Sequence, residues 1–218
     1  MKVETIEYKN HTIKIQYDEF CDMHPRTDCD NLGSMVMFHS RYTLPNEGNY
    51  NKNDYNSWNE LRKAIIRKEN PAVILPIYMY EHSGVALKVG SFQGLLPQGH
   101  AEFDTCMVGF IYISKADARK EYGWKQITKT RREQLEKYLT GDVEIYSQFL
   151  NGEVFGYVIT DADDEEIEAD GSQSWGYYGY DHEKSGLMEN AKDAIDYEIE
   201  RAKEEEKKNN PQIEMELA

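Results

Sequence analysis

Residues 73–80 read Val-Ile-Leu-Pro-Ile-Tyr-Met-Tyr and form the most strongly β-prone apolar run of the chain. β-branched and aromatic side chains favour strands, and a nearly continuous apolar run is typical of a strand that is covered on both faces. Pro76 lacks a backbone donor, so we expect a bulge or a sheet edge at that point. The run therefore predicts a central strand, with Val85–Val89 as its expected partner.

Similar short runs predict the other strands. Val3–Tyr8 and His11–Tyr17 are split by Lys9-Asn10, a pattern that indicates a β-hairpin. Polar or glycine-rich segments separate the remaining predicted strands, which are Ser34–Tyr42, Met107–Ile113, Glu153–Thr160 and Ser174–Tyr180.

Two helices are predicted from capping boxes, in which Ser or Thr precedes Glu by three residues. Ser57–Glu60 predicts the start of a helix that ends near Asn70-Pro71. Thr130–Glu133 precedes an apolar stripe formed by Leu135, Leu139, Val143, Tyr146 and Leu150. A last helix is expected from about residue 187 to residue 207, with its apolar stripe at Leu187, Ala191, Ile195 and Ile199.

These elements predict an α+β fold, in which an antiparallel or mixed β-sheet packs against two or three longer helices. We expect a single domain with an acidic C-terminal helix. Residues 1–180 would form the α+β core, residues 181–208 the helix packed on it, and residues 209–218 a flexible tail.

Bulk composition predicts a cytoplasmic protein that does not enter a membrane. The chain has no run of 18 apolar residues, and Met1–Thr5 lacks the apolar region of a signal peptide. The three cysteines, an odd number, do not make a disulfide framework.

Negative charge is concentrated near the C-terminus. The net charge is −15, and residues 161–218 carry 19 acidic and 6 basic residues, which gives −13. Phosphate binding depends on Lys and Arg, so nucleic acid is disfavoured as a direct partner, whereas a basic protein surface is favoured. The predicted partner-binding residues are Asp161, Asp163, Asp164, Glu165, Glu166, Glu168, Asp170, Asp193, Asp196, Glu200 and Glu204.

Two other interpretations of the acidic run stay open. Charge runs are commonly solvated surface, and alternating carboxylates also bind Ca²⁺, although this run lacks the glycine and the twelfth-position glutamate of an EF-hand. Exposed apolar residues on the last helix would also allow two chains to pair as a homodimer.

A scatter of potential acid–base residues gives a second candidate site. His, Asp and Glu at strand ends are able to move protons or hold a metal. No Gly-x-Ser-x-Gly, His-Glu-x-x-His or P-loop pattern occurs, so we predict no catalytic residue, cofactor or metal ligand. The candidate ligand-binding residues are Asp30, His39, Arg41, Glu81, His82, Asp104 and Trp175.

Five motifs follow one another along the chain. They are Asp30–Val36 followed by His39 and Arg41-Tyr42, then Glu81–Gly84, Val108–Tyr112, Glu153–Tyr157 and Ser174–Gly179. In this order they resemble the motifs of a family of small proteins from bacteriophages and mobile elements, chiefly of Gram-positive bacteria. The resemblance covers roughly residues 20 to 200 and departs from the usual pattern at Cys29, where tryptophan is expected, and in Gln93–Phe103.

The resemblance implies a phage context but no established activity. Together with the acidic C-terminal region, it predicts a phage accessory protein that binds and inhibits a host nucleic-acid-handling defence protein. A restriction or CRISPR effector is the expected class of target, and a DNA-mimic-like acidic surface is the expected means. The alternatives are a small-ligand or nucleotide-signal binding protein, and a metal-dependent hydrolase or nuclease that uses Asp30, His39, Glu81, His82 and Asp104.

Overall fold

A computed structural model of the chain describes residues 2–97, 99–167 and 170–209. It is an α+β protein, as the sequence predicts, and its strands form two four-stranded antiparallel sheets rather than one. The strands are β1 (Lys2–Tyr8), β2 (His11–Tyr17), β3 (Ser34–Met37), β4 (Pro71–Glu81), β5 (Val85–Val89), β6 (Thr105–Ser114), β7 (Val154–Thr160) and β8 (Gln173–Tyr178). The helices are α1 (Trp58–Glu69), α2 (His100–Phe103), α3 (Lys115–Tyr122), α4 (Lys129–Leu150) and α5 (Leu187–Asn209), with a short 3₁₀ turn at Lys52–Asp54.

Backbone contacts divide the chain into two compact units. The terminal unit comprises Met1–Asp22 and Gly152–Ala218, and the central unit comprises Met23–Asn151. The boundaries predicted at residues 180 and 208 stay a prediction, and residues 210–218 of the expected tail lie outside the described residues. No helix of the described ranges is long and apolar enough to cross a membrane.

The terminal unit is a sheet of order β1-β2-β7-β8 covered on one face by α5. The predicted hairpin is confirmed, because Lys9 and Asn10 both have positive φ, as a type I′ turn requires. Alternate residues of β2 and β7, such as Ile13 and its partner Ile159, point to one face and pack against α5. The predicted stripe of α5 meets them through Leu187, Ala191 and Ile195, with Ile199 partly buried.

The central unit is a sheet of order β3-β6-β4-β5, with helices on both faces. Met35, Ile77 and Ile111 pack against α4 on one face, and Val36 and Phe110 pack against α1 on the other. The 73–80 run is thus an inner strand, and its backbone register against β6 shifts immediately after Pro76, between residues 77 and 78.

Local signals located most helix ends correctly, with four corrections to the predicted helices and strands. Ser57 caps α1 by accepting the N–H of Glu60, as predicted. The α4 cap was wrong, because Thr128 rather than Thr130 accepts the first free N–H, from Arg131. Leu150 leaves the apolar stripe and is 36% exposed, because it is the last residue of α4. The strand expected over residues 34–42 ends at residue 37, and α2 occupies part of a predicted loop.

Candidate functional site

The densest cluster of polar side chains lies in the central unit, at the sheet edge where β4 ends and β6 begins. The N–H of Glu81, the last residue of β4, donates to the carbonyl of Asp104, which directly precedes β6 (2.9 Å). Successive residues of a strand point to opposite faces, so Glu81 and His82 lead into separate groups. We call these the Glu81 group (His39, Arg41, Tyr42 and Glu81) and the His82 group (Tyr80, His82, His100 and Asp104).

The Glu81 group is built around one carboxylate. The guanidinium of Arg41 donates to Glu81 Oε2, and His39 Nε2 lies 3.7 Å from the same oxygen. The His39 ring stacks on Tyr42, with ring centroids 5.0 Å apart. Glu81 Oε1 is buried and has no hydrogen-bond partner within the described part of the chain. The group therefore holds a carboxylate and an imidazole side by side, an arrangement suited to binding a polar ligand or moving a proton.

The His82 group brings two imidazoles to one carboxylate oxygen. His82 Nδ1 and His100 Nδ1 lie 3.4 and 3.3 Å from Asp104 Oδ2, and the two rings are 4.8 Å apart between centroids. The hydroxyl of Tyr80 lies 3.1 Å from His100 Nδ1, and its ring stacks nearly parallel to that of His82. These side chains are partly exposed, so solutes have access to them.

The structure gathers five of the seven predicted ligand-binding residues at this sheet edge, split between the two groups. Asp30 is not among them and lies exposed before β3. Trp175 belongs to the terminal unit, where it covers Gly156 and is 43% exposed. His100 was missed because a loop was predicted there, and the i,i+4 spacing of His100 and Asp104 is meaningful only once α2 is known.

A buried arginine, Arg26, is hydrogen-bonded to two residues of the Asp30–Val36 motif. The side chain of Arg26 is 2% exposed and makes two parallel hydrogen bonds to Glu47, of 2.9 and 2.8 Å. It also donates to the side chain of Asn31 and to the carbonyl of Gly33. Asp142 lies 3.3 Å away, and burial raises its pKa to about 6 although Arg26 opposes that shift. We assign this network a role in stability, because its hydrogen bonds are used within the fold.

The acidic loop of the terminal unit is an ordered turn in which some carboxylates already have partners. Asp161 Oδ1 accepts the N–H groups of Asp163 and Glu165, at 2.9 and 3.0 Å. Asp164 pairs with Lys14 at 2.6 Å. These two carboxylates therefore shape the loop, although Asp164 stays exposed, as do Asp163 and Glu165.

The acidic row of α5 is also divided between internal and exposed carboxylates. Asp196 accepts from Lys9 at 2.7 Å and from the hydroxyl of Tyr8 at 3.2 Å, and the hydrogen bond from Lys9 lowers the pKa of Asp196. Of the other predicted partner-binding residues, Glu168 lies outside the described residues, and those that are exposed are Glu166, Asp170, Asp193, Glu200 and Glu204.

The loop and α5 meet around one polar cavity within the terminal unit. Its volume is about 460 Å³, and Glu166 and Asp170 of the loop line it together with Arg201 of α5. Arg201 also pairs with Glu198 on its own helix. The two acidic segments therefore belong to one surface, which we call the acidic surface.

The two units differ in net charge more than residues 161–218 differ from the rest of the sequence. The terminal unit contains 25 acidic and 9 basic residues, a net charge of −16. The central unit contains 15 acidic and 16 basic residues, a net charge of +1. The excess negative charge of the chain is therefore confined to the terminal unit.

A second cavity in the central unit has an aromatic lining. Its volume is about 320 Å³, within the usual range of small-ligand sites. Phe38 and Trp58 face it with nearly parallel rings, and Tyr55 and Lys52 complete one wall.

Comparisons of the chain with family models, with curated proteins and with solved structures gave no match. The phage-type family and its context therefore stay predictions from the five motifs.

Proposed function

We propose that this protein binds a basic, nucleic-acid-handling protein of a host cell through the acidic surface of its terminal unit, and thereby inhibits it. The observation that carries the proposal is the net charge of the terminal unit, whose exposed loop carboxylates Glu166 and Asp170 line a cavity together with Arg201 of α5. A charge of −16 confined to one unit gives such a surface long-range attraction for Lys- and Arg-rich grooves.

The basic residues of the terminal unit weaken this surface less than their number implies. Lys9 and Lys14 pair internally with Asp196 and Asp164, and Lys192 pairs with Glu183. None of these three lysines forms an ion pair, at 4.0 Å or less, with exposed carboxylates such as Glu200 and Glu204. The exposed carboxylates therefore supply the charge that a partner meets.

The spacing of the α5 carboxylates supports a coarse imitation of a phosphate row. Glu200 and Glu204 are one helical turn apart, which is about 6 Å along the axis at ~1.5 Å per residue. DNA carries phosphates at about 3.4 Å per strand along its axis. A protein groove that slides along DNA would bind a surface of this lower charge density. The carboxylates of α5 have no groups equivalent to the base edges that a sequence-specific protein contacts.

Exposed aromatic side chains provide apolar contact area on the same unit. Trp175, Tyr180 and Tyr197 are 43%, 57% and 58% exposed. Tyr and Trp are enriched among residues that dominate binding energy at protein interfaces. Tyr197 lies on α5 between Asp193 and Glu200, so it adds a binding anchor to the acidic face.

The test is an affinity capture from host lysate with two matched variants. The first variant neutralises five exposed carboxylates of the acidic surface as amides, and the second neutralises five exposed carboxylates of the central unit. The first set is Asp163, Glu165, Glu166, Glu200 and Glu204; the control set is Asp30, Asp54, Glu121, Glu133 and Glu136.

Both variants change the net charge by the same amount, so only the location of the charge differs between them. We expect the native chain and the control to capture a DNA- or RNA-handling protein, and the acidic-surface variant to lose it. Capture should also decline as salt is raised, because exposed charges are screened. Equal capture by both variants would refute the proposal.

A small-ligand function is the second candidate, and the aromatic cavity between Phe38 and Trp58 favours it. Aromatic faces stack on bases, and Lys52 at the rim provides a positive charge for a phosphate. Thermal shift with a nucleotide panel tests this candidate, with a Trp58→Leu variant as the comparison. A stabilisation that is equal in both proteins would contradict binding at this cavity.

A further inference from the structure

We propose that His82, His100 and Asp104 form a binding site for one divalent transition-metal ion of the zinc class. One ligand atom of each residue lies within 4.8 Å of the others, in the only such trio among the described residues. The site is in the central unit and is independent of the acidic surface, so it goes beyond the proposed function. It also departs from the sequence prediction that no metal is bound.

The distances around Asp104 match those of a coordination sphere. Zn²⁺ binds imidazole nitrogen and carboxylate oxygen at about 2.0–2.1 Å, so neighbouring ligand atoms of a tetrahedral site are about 3.3 Å apart. The two distances from Asp104 Oδ2, to His82 Nδ1 and His100 Nδ1, are 3.4 and 3.3 Å. For a tetrahedral site, only the distance between the ligand nitrogens of the two histidines has to shorten.

Hydrogen bonds alone account poorly for this arrangement. N–H···O bonds are usually about 2.7–3.2 Å long, and both imidazole contacts to Asp104 exceed that range. His100 Nδ1 is also 3.1 Å from the Tyr80 hydroxyl. If that hydroxyl donates, it uses the single lone pair of this nitrogen. A cation bound between the three ligand atoms would take that lone pair instead, and the Tyr80 hydroxyl would then donate to another acceptor.

The backbone holds the three ligands in place before any ion binds. The N–H of Asp104 donates to the carbonyl of His100, which closes one helical turn and puts both side chains on one side of α2. The carbonyl of Asp104 accepts the N–H of Glu81, which fixes it beside His82 at the end of β4. Such pre-organisation lowers the entropy that is lost when the site binds its ion.

Two histidines and one carboxylate leave a coordination position open. Structural zinc sites normally have four protein ligands, whereas sites with three protein ligands keep a position for water or a substrate. The Tyr80 hydroxyl lies next to His100 and is placed to hydrogen-bond to a ligand in that position.

The test is a titration of the metal-free full-length chain with Zn²⁺ by calorimetry, and with Co²⁺ by visible absorption. We expect one ion per chain in the native protein. Asp104→Asn and His100→Gln preserve side-chain size and should each weaken affinity at least about 100-fold, since even second-shell losses typically cost about 10–100-fold. Thermal stability without metal should be little changed in both variants, because their side chains are partly exposed.

Two controls separate this site from other metal ligands of the chain. His11→Gln removes a histidine of the terminal unit and should leave the affinity unchanged. Cys106→Ser removes the cysteine nearest to Asp104 in sequence, whose thiol has a pKa raised by burial, and should also leave it unchanged. Absence of stoichiometric binding, or equal affinity of the native chain and Asp104→Asn, would overturn the proposal. Loss of binding in Cys106→Ser would do so as well.

Discussion

Replacing the buried Arg26 by methionine should destabilise the central unit severely. The substitution keeps an unbranched side chain of similar length but removes a guanidinium that is 2% exposed. Glu47 would lose two charge-assisted hydrogen bonds, and Asp142 would lose its only ion pair within the described residues. Removing one partner of a buried ion network costs about 3–5 kcal/mol, because the remaining charge stays buried without compensation.

The magnitude is large relative to the free energy of unfolding of a typical domain, which is about 5–15 kcal/mol. With a urea dependence of about 2 kcal/mol per molar, the unfolding midpoint should fall by about 2 M. The penalty should be smaller in acid, because burial raises the pKa of Asp142 to about 6 and protonation of this carboxyl removes its buried charge.

The assay is urea unfolding followed by tryptophan fluorescence in a Trp175→Phe background. Trp58 and Trp124 then report on the central unit alone, since both lie within Met23–Asn151. A loss below about 1 kcal/mol at pH 7 would refute the assignment of Arg26 as a stabilising centre. A loss that does not shrink at pH 4 would refute the electrostatic cause.

Three further predictions concern the central unit. Burial raises the pKa of Asp142 from its usual 3.8 to about 6, so the stability that its protonation contributes is complete below about pH 4 and is lost as the pH rises through 6. Asp142→Asn should therefore flatten the pH dependence of the urea midpoint between pH 4 and 6, by at most about 3 kcal/mol before solvent screening. Gly109→Ala should lower the free energy of unfolding by about 3 kcal/mol in the same assay, because its Cβ would lie 2.0 Å from the carbonyl oxygen of Val36. Ser147→Ala should cost about 1–3 kcal/mol by leaving the buried N–H of Leu87 without its 2.9 Å acceptor, and unchanged hydrogen exchange of that N–H would contradict this account.

The fold was largely predictable, because its signals are local. The Lys9-Asn10 turn, the Ser57 cap and the β-prone run His11–Tyr17 act over a few residues, and each produced the predicted element. Errors arose where two local signals competed. Thr128 directly precedes α4 and Thr130 is its second residue, and the Glu133 that favoured Thr130 does not decide which hydroxyl meets the first free N–H.

The candidate sites were less predictable, because their residues are distant in sequence. Arg26 was not singled out, since its partner Asp142 lies 116 residues away and no periodic pattern links the two. His82 and Asp104 were recognised as candidates because of their residue types, but His100 became visible only when α2 placed it one turn before Asp104.

Charge location was predicted well in one respect and poorly in another. Composition identified the acidic C-terminal region, but it did not distinguish exposed carboxylates from those that maintain the fold. Asp161 and Asp196 serve as hydrogen-bond acceptors within the terminal unit, and that role depends on the turn and on Lys9. The partition of −16 and +1 likewise depends on which chain segments form each unit.

We propose that the acidic surface occupies the nucleic-acid-binding surface of its partner. The most direct test repeats the capture from host lysate with increasing duplex DNA at constant ionic strength. We expect DNA to release more of the captured protein as the DNA concentration rises, because DNA and the acidic surface compete for one basic surface. Capture that persists at saturating DNA, with the DNA bound in the same complex, would contradict it.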